Sequence, residues 1–204
     1  KYPHIGVHIS QETDFDHRLH TSLLMSQTNA EGFFEIKNIP VGEYNIVVSK
    51  ENWGFAYWYN VGINEGIIEL SNQSNPVILY PEVIFPENIF DDMIIESNRH
   101  YIAEENVTFH PGSHLVIKSD SWIRIAPGKT IVIYGALETD ISTGSFFRVT
   151  SNSGFDSIGN EIENYTHFQI ENSANVINQT INGGIFSYGN YGCVVQKDGI
   201  YIEE

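Results

Sequence analysis

Beyond Tyr101 the chain is a succession of short apolar runs, punctuated by proline, glycine and asparagine, with no helical period between them. Asn106-Val107-Thr108-Phe109-His110-Pro111-Gly112-Ser113-His114-Leu115-Val116-Ile117 reads as strand, tight Pro-Gly turn, strand. Ser121 to Leu137 repeats the plan around Ala126-Pro127-Gly128-Lys129, the same corner sixteen positions after His110-Pro111-Gly112-Ser113. Brief strands at such a spacing, with Asn and Gly between them, favour a solenoid over a closed sandwich. The remaining runs continue it: Phe168-Gln169-Ile170, Asn175-Val176-Ile177, Gly184-Ile185-Phe186, Cys193-Val194-Val195 and Ile200-Tyr201-Ile202. Corners of such a fold demand residues that tolerate left-handed backbone, and its inward positions must stack into an apolar column. Residues 141–165 are richer in Ser, Gly and Asn and read as a protruding loop or irregular coil.

Tyr101 to Leu137 resembles the opening coils of right-handed parallel β-helices in bacterial surface proteins. There an Asn-Val-Thr-x-x-Pro-Gly-Ser-x-Leu-x-Ile run precedes an aromatic or Gly-Ala-Leu strand. The resemblance implies a parallel β-helix over 101–204, with Asn side chains laddering from coil to coil.

The front of the chain has a different texture. Asn29 to Gly32 form a polar turn, Phe34 and Ile36 alternate with Glu35 and Lys37, Pro40 and Gly42 break the run, and Tyr44, Ile46 and Val48 resume it. Thr28-Asn29-x-x-Gly32-x-Phe34, then Ile39-Pro40-Val41-Gly42-Glu43-Tyr44, resembles the carboxypeptidase regulatory-like family, a transthyretin-like sandwich. In that family's pattern an Asp stands where this chain has Asn29, which keeps the side-chain turn bond without the charge. The resemblance implies a spacer or binding module over residues 1–83 and carries no peptidase activity. The family's opening strand is short or missing, because Ile5-Gly6-Val7-His8-Ile9 matches its second strand. Val77 to Tyr80 reads as a last sandwich strand. Pro81-Glu82-Val83-Ile84-Phe85-Pro86-Glu87 has the proline spacing of a connector, so 84–100 is expected to be a linker. The expected fold is all-β: a sandwich followed by the first coils of a β-helix. A start at Lys1 and an end at Glu204, inside an apparent strand, read as a piece of something longer.

Charge narrows the partners. Lys and Arg total 10 against 26 Asp and Glu, and both halves are acidic. Such a surface repels phosphate backbones, which argues against nucleic acid and anionic membrane. No apolar run reaches the roughly eighteen residues of a membrane span. The single Cys193 excludes an internal disulfide framework. Between Val194 and its glycines it reads as a small buried residue and not as a nucleophile.

Trp53-Gly54-Phe55-Ala56-Tyr57-Trp58-Tyr59 packs five rings into seven residues. On a strand Trp53, Phe55, Tyr57 and Tyr59 share one face and Trp58 takes the other. Two readings stay open: a platform for stacking sugars, or rings that fill the core and a module interface. Asp14 and Asp16, with His17 and His20, form an oxygen- and nitrogen-rich loop that falls short of a calcium loop's acids and glycine. Calcium is therefore the only cofactor suggested, and weakly encoded. His110 and His114 flank a turn without further zinc ligands and read as surface residues. The Asn-x-Ser/Thr triplets at Asn72, Asn106, Asn164 and Asn178 are no more than this composition produces by chance.

β-Helices also host polysaccharide lyases and hydrolases, whose acid/base groups recur at coil spacing. Here Asp156, Glu161 and Glu163 lie in the irregular stretch, Arg148 is the nearby guanidinium, and no nucleophile elbow, phosphate loop or His-Glu-x-x-His occurs. The expectation is a non-enzymatic structural or adhesion module of a secreted or cell-surface bacterial protein, with a polysaccharide or surface component as partner. The alternative is the non-catalytic front end of a polysaccharide-degrading enzyme.

Overall fold

The computed structural model describes residues 4–12, 17, 22–72, 74–151, 167–171, 173–177, 180–182, 184–187, 193–195 and 201–203. The chain divides into two compact units, Lys1–Pro81 and Glu82–Glu204.

In the first unit, β1 (Gly6–Ser10), β2 (Leu24–Gln27), β3 (Gly42–Ser49) and β4 (Ala56–Ile63) form one antiparallel sheet in the order β2-β1-β3-β4. Alternation decides its faces. Val7, Ile9, Tyr44, Ile46, Val48 and Ile63 are buried together on one side. The second layer over that core is extended chain without a strand ladder: Phe34, Ile36, Ile39, Leu70, Val77 and Leu79 pack against the cluster. The period-two pattern of Phe34 and Ile36 is therefore right about burial. It is not matched by strand pairing, and neither Phe33–Ile39 nor Val77–Tyr80 is a strand.

The turn at Asn29 forms as its sequence requires. Asn29 Oδ1 accepts from the Glu31 and Phe33 amides at 3.1 and 2.9 Å, and Gly32 adopts φ +79°. The buried Tyr44 donates its hydroxyl to the Pro40 carbonyl at 2.9 Å, which ties the Pro-Val-Gly break to the strand it precedes.

The second unit is a parallel β-solenoid. β5 (Val83–Ile84), β6 (Asn88–Ile89) and β7 (Met93–Ile95) form the first rung. β8 (His100–Ala103), β9 (Val107–Phe109) and β10 (His114–Lys118) form the second, and β11 (Trp122–Ile125), β12 (Thr130–Ile133) and β13 (Ala136–Asp140) the third. β14 (Phe147–Ser151), β15 (His167–Ile170) and β16 (Asn175–Val176) follow, then β17 (Thr180–Asn182), β18 (Gly184–Ser187), β19 (Cys193–Val195) and β20 (Tyr201–Glu203). The strands make three parallel sheets, ordered β18-β14-β11-β8-β5, β19-β15-β12-β9-β6 and β16-β13-β10-β7, with β17 and β20 paired separately. Residues 84–100, expected as a linker, carry β6 and β7 and pair with β9 and β10. A boundary set by proline spacing missed this because strands of two and three residues leave almost no alternation to read.

Inside, like stacks on like. Tyr101, Ile123 and Val149 share one register position, Val107, Ile131 and Phe168 another, and Leu115, Leu137 and Val176 a third. All nine are buried in one core.

Three described corners use left-handed residues, and the ladders correct the apparent period. Asn98 and Asp120, at φ +58° each, and Gly144, at +82°, close successive rungs between the third and first sheets. The two Pro-Gly turns are not stacked copies. His110–Ser113 joins β9 to β10, whereas Ala126–Lys129 joins β11 to β12. The element that lies on Ser113 is Gly135: the Ala136 amide donates to the Ser113 carbonyl at 2.8 Å. A Cβ on Gly135 would stand 2.4 Å from that carbonyl oxygen and 2.9 Å from that of His110. The true repeat is the ladder register, Met93 on Leu115 on Leu137, and not the sixteen-residue spacing of the turns.

Candidate functional site

The five rings singled out in the sequence lie in and just before β4, an edge strand of the first sheet. They do not form one platform. Trp58 is paired with Ile46 and packs against the apolar core. Tyr57 is paired with Val47, whose other neighbour is His8, so Met25, His8, Val47 and Tyr57 run across the opposite face.

That second face carries a chain of rings. His8 and His17 lie 5.1 Å apart between centroids, His17 meets Phe55 edge-on at 5.1 Å, and Phe55 meets Tyr57 edge-on at 5.2 Å. Tyr57 and Tyr59 are parallel within 1° at 5.2 Å. Phe55 and Val47 are buried, Tyr57 is half-buried and Tyr59 is exposed. Trp53 is half-buried beneath the Lys50 ammonium, 4.7 Å from its centroid. Aromatic rings attract through their faces and edges alike, and here Phe55, Tyr57 and Tyr59 each already meet a neighbouring ring.

A bulge shapes the exposed end. Tyr44 pairs with Val61 but Ile46 pairs with Trp58, so β4 carries one extra residue there. Asn60 takes it up at φ +52°, and its amide donates to Asn45 Oδ1 at 3.1 Å. The buried Asn45 in turn donates to the Glu12 carbonyl, tying the chain after β1 to this face. The bulge also keeps Trp58 and Val61 both turned to the core, with Tyr59 between them on the open side.

Burial lowers the His8 pKa from the ordinary imidazole value of 6.5. Its Nδ1 lies 3.0 Å from Ser22 Oγ. His8 was legible in principle, since Gly6, His8 and Ser10 alternate against the buried Val7 and Ile9. His17 carried no such signal, because a loop residue has no period. Asp14, Asp16 and His20 lie outside the described residues, as do Asp156, Glu161, Glu163 and the side chain of Cys193. Among the described residues no three His, Cys, Asp or Glu side chains converge on a common point.

The solenoid carries ring stacks of its own, built by register. His100 and Trp122 occupy one ladder position on successive rungs and lie parallel within 8° at 5.5 Å. Arg148, next in that column, sits 5.1 Å from the Trp122 ring and 5.0 Å from that of Phe146. His110 Nε2 meets Asn88 Oδ1 at 2.9 Å, and His114 Nε2 meets Glu138 Oε2 at 3.1 Å. Asn106 Oδ1 accepts from the Thr130 amide at 3.0 Å, so this asparagine bridges rungs to backbone and not to a second asparagine. Charges bridge rungs too. Lys118 Nζ meets Glu96 Oε2 at 2.8 Å, Lys129 pairs with Glu105, and the buried Arg124 pairs with Glu82. The Glu96 hydrogen bond holds the Lys118 pKa above its ordinary value. The two lysine pairs fasten one rung to the next, and the Arg124 pair spans two rungs.

The chain matches no protein-family model, no characterised protein and no solved structure. Among the described residues no helix is long and apolar enough to cross a membrane.

Proposed function

We propose that the chain is a non-enzymatic structural and adhesion module of an extracellular bacterial surface protein, and that a polysaccharide is its contact. Its front is a transthyretin-like, carboxypeptidase regulatory-like sandwich, and its remainder opens a right-handed β-helix. The observation that carries this reading is the continuity of the solenoid's ladders. Each of three sheets pairs rung on rung, the core columns stack in register, and side-chain bridges such as Lys118 to Glu96 clamp the outside. A quasi-one-dimensional stack of this kind transmits load along its axis through backbone hydrogen bonds, the property a surface stalk needs. Net charge supports a non-anionic partner.

Incubation of the whole chain with plant and bacterial polysaccharides separates this from the front end of a polysaccharide-degrading enzyme. The expected result is retention on at least one polysaccharide with no release of reducing ends or unsaturated uronate. Release of either product, abolished by heat denaturation, sinks the structural reading.

A further inference from the structure

Among the described residues, the most exposed ring of the solenoid's large apolar side chains is Phe90, 64% accessible, at the end of β6. Its setting is built by register. Ile89 pairs with Phe109 and points into the core, so Phe90 and His110 both point outward, one rung apart. The two rings lie parallel within 6° at 4.2 Å. His110 is fixed by its contact with Asn88 Oδ1, which leaves the amide nitrogen as the donor end of Asn88. One face of Phe90 is therefore occupied by an imidazole held in place.

The opposite face has no ladder neighbour in the solenoid, because β6 is the last strand of its sheet. The neighbours of Phe90 in the chain, Glu87, Asn88, Asp91 and Asp92, are all exposed. This composition separates the ligand classes. Protein interface cores are depleted in Asp and Glu, and here the six residues from Glu87 to Asp92 carry three carboxylates and one amide. Phosphate, sulfate or uronate would meet like charge from those carboxylates and from a chain with 26 acidic and 10 basic residues. A neutral sugar fits both halves: its axial C–H face packs on an open ring and its hydroxyls donate to carboxylates and accept from an amide.

We infer that Phe90, backed by His110 and flanked by Asn88, Asp91 and Asp92, is a docking subsite for a neutral polysaccharide chain. The inference rests on the adhesion reading and moves its sugar contact from the Trp53–Tyr59 rings to the first rung of the solenoid. The bound pyranose continues a stack that the protein has already begun, so the ring beneath it loses little freedom on binding.

The test is affinity electrophoresis of the whole chain through gels containing xylan, galactomannan or mixed-linkage glucan, with alginate as the anionic comparison. At least one neutral polysaccharide retards the wild type, and raising the salt concentration leaves that retardation unchanged. Phe90→Ala weakens it about tenfold, the upper range for a lost aromatic contact, while Phe90→Trp retains it. Tyr57→Ala with Tyr59→Ala leaves it intact. Equal retardation of wild type and Phe90→Ala overturns the site and leaves the adhesion reading standing. No retardation by any neutral polysaccharide overturns the site and removes glycan contact from the proposed function. Retardation by alginate alone, or lost with salt, overturns the neutral ligand. A self-association abolished by Phe90→Ala, with sugar binding unaffected, reassigns the ring to an interface between copies.

Discussion

Two glycines in neighbouring corners of the solenoid require glycine for different reasons, and substituting each with alanine tests the rung-on-rung register. Gly112 lies at φ +97° with nothing within 4 Å of a built Cβ. Its alanine variant suffers only the left-handed backbone, about 1–2 kcal/mol. Reduced freedom of the unfolded chain returns about 0.4–1 kcal/mol, for a net loss near 1 kcal/mol. Gly135 has no such φ, but its Cβ would stand 2.4 Å from both Ser113 O and Ser113 Oγ. The obstacle includes backbone of the preceding corner, which cannot rotate away, so the rungs must separate by several tenths of an ångström. Overpacking of this kind costs about 1–3 kcal/mol, and a backbone contact belongs at the upper end. Calorimetry of the full chain is the suitable assay, because two compact units need not melt together. The solenoid transition should fall by about 10 °C in Gly135→Ala and by less than half that in Gly112→Ala. Adding Ser113→Ala to Gly135→Ala removes the hydroxyl and leaves the carbonyl, so it restores part of the loss. Wild-type melting of Gly135→Ala would refute the packing of this corner on Ser113, and the register derived from it.

Three further outcomes follow from the same geometry. The lowered His8 pKa means the unfolded chain binds the proton more readily than the folded one. His8 therefore contributes stability that is present above about pH 6.5 and declines as pH falls towards the folded pKa. The first-unit melting temperature of wild type should drop on mild acidification by more than that of His8→Gln, and parallel curves for the two proteins would exclude His8 as the cause. Glu82→Ala leaves the Arg124 guanidinium, 6% exposed, without this carboxylate, and should destabilise the solenoid by about 3 kcal/mol in urea titration. An effect below about 1 kcal/mol would place the pair among surface bridges of little weight. Asn29→Ala removes the acceptor of two turn amides and should cost the first unit about 1–2 kcal/mol, whereas Asn29→Asp keeps it; equal losses in both would refute the role of Oδ1.

Local patterns were largely legible. Phe34 and Ile36 were assigned to the buried side by alternation alone, and both are half-buried against the core. The Asn29-to-Gly32 turn needs only its own side chain and one glycine, so its sequence suffices. Ring partners were not legible. Trp122 stacks on His100 and under Arg148 because ladder register brings the three into one column, and nothing in the spacing of those residues announces it. The same holds for Phe90 on His110. In the first unit, alternation sets Trp58 apart from Phe55, Tyr57 and Tyr59, whose rings adjoin one another on the other face, yet which face meets the core is settled by the pairing of Trp58 with Ile46.

A few adjacent residues suffice for the all-β character, for the turn from Asn29 to Gly32 and for the half-buried side of Phe34 and Ile36, because none of these needs a distant partner. Only the tertiary structure decided which corner rests on which, why Gly135 and not Gly128 lies on Ser113, and that residues 84–100 belong to the stack. Those are settled by hydrogen bonds and apolar columns joining residues about eighteen or more apart, and no local window contains both partners.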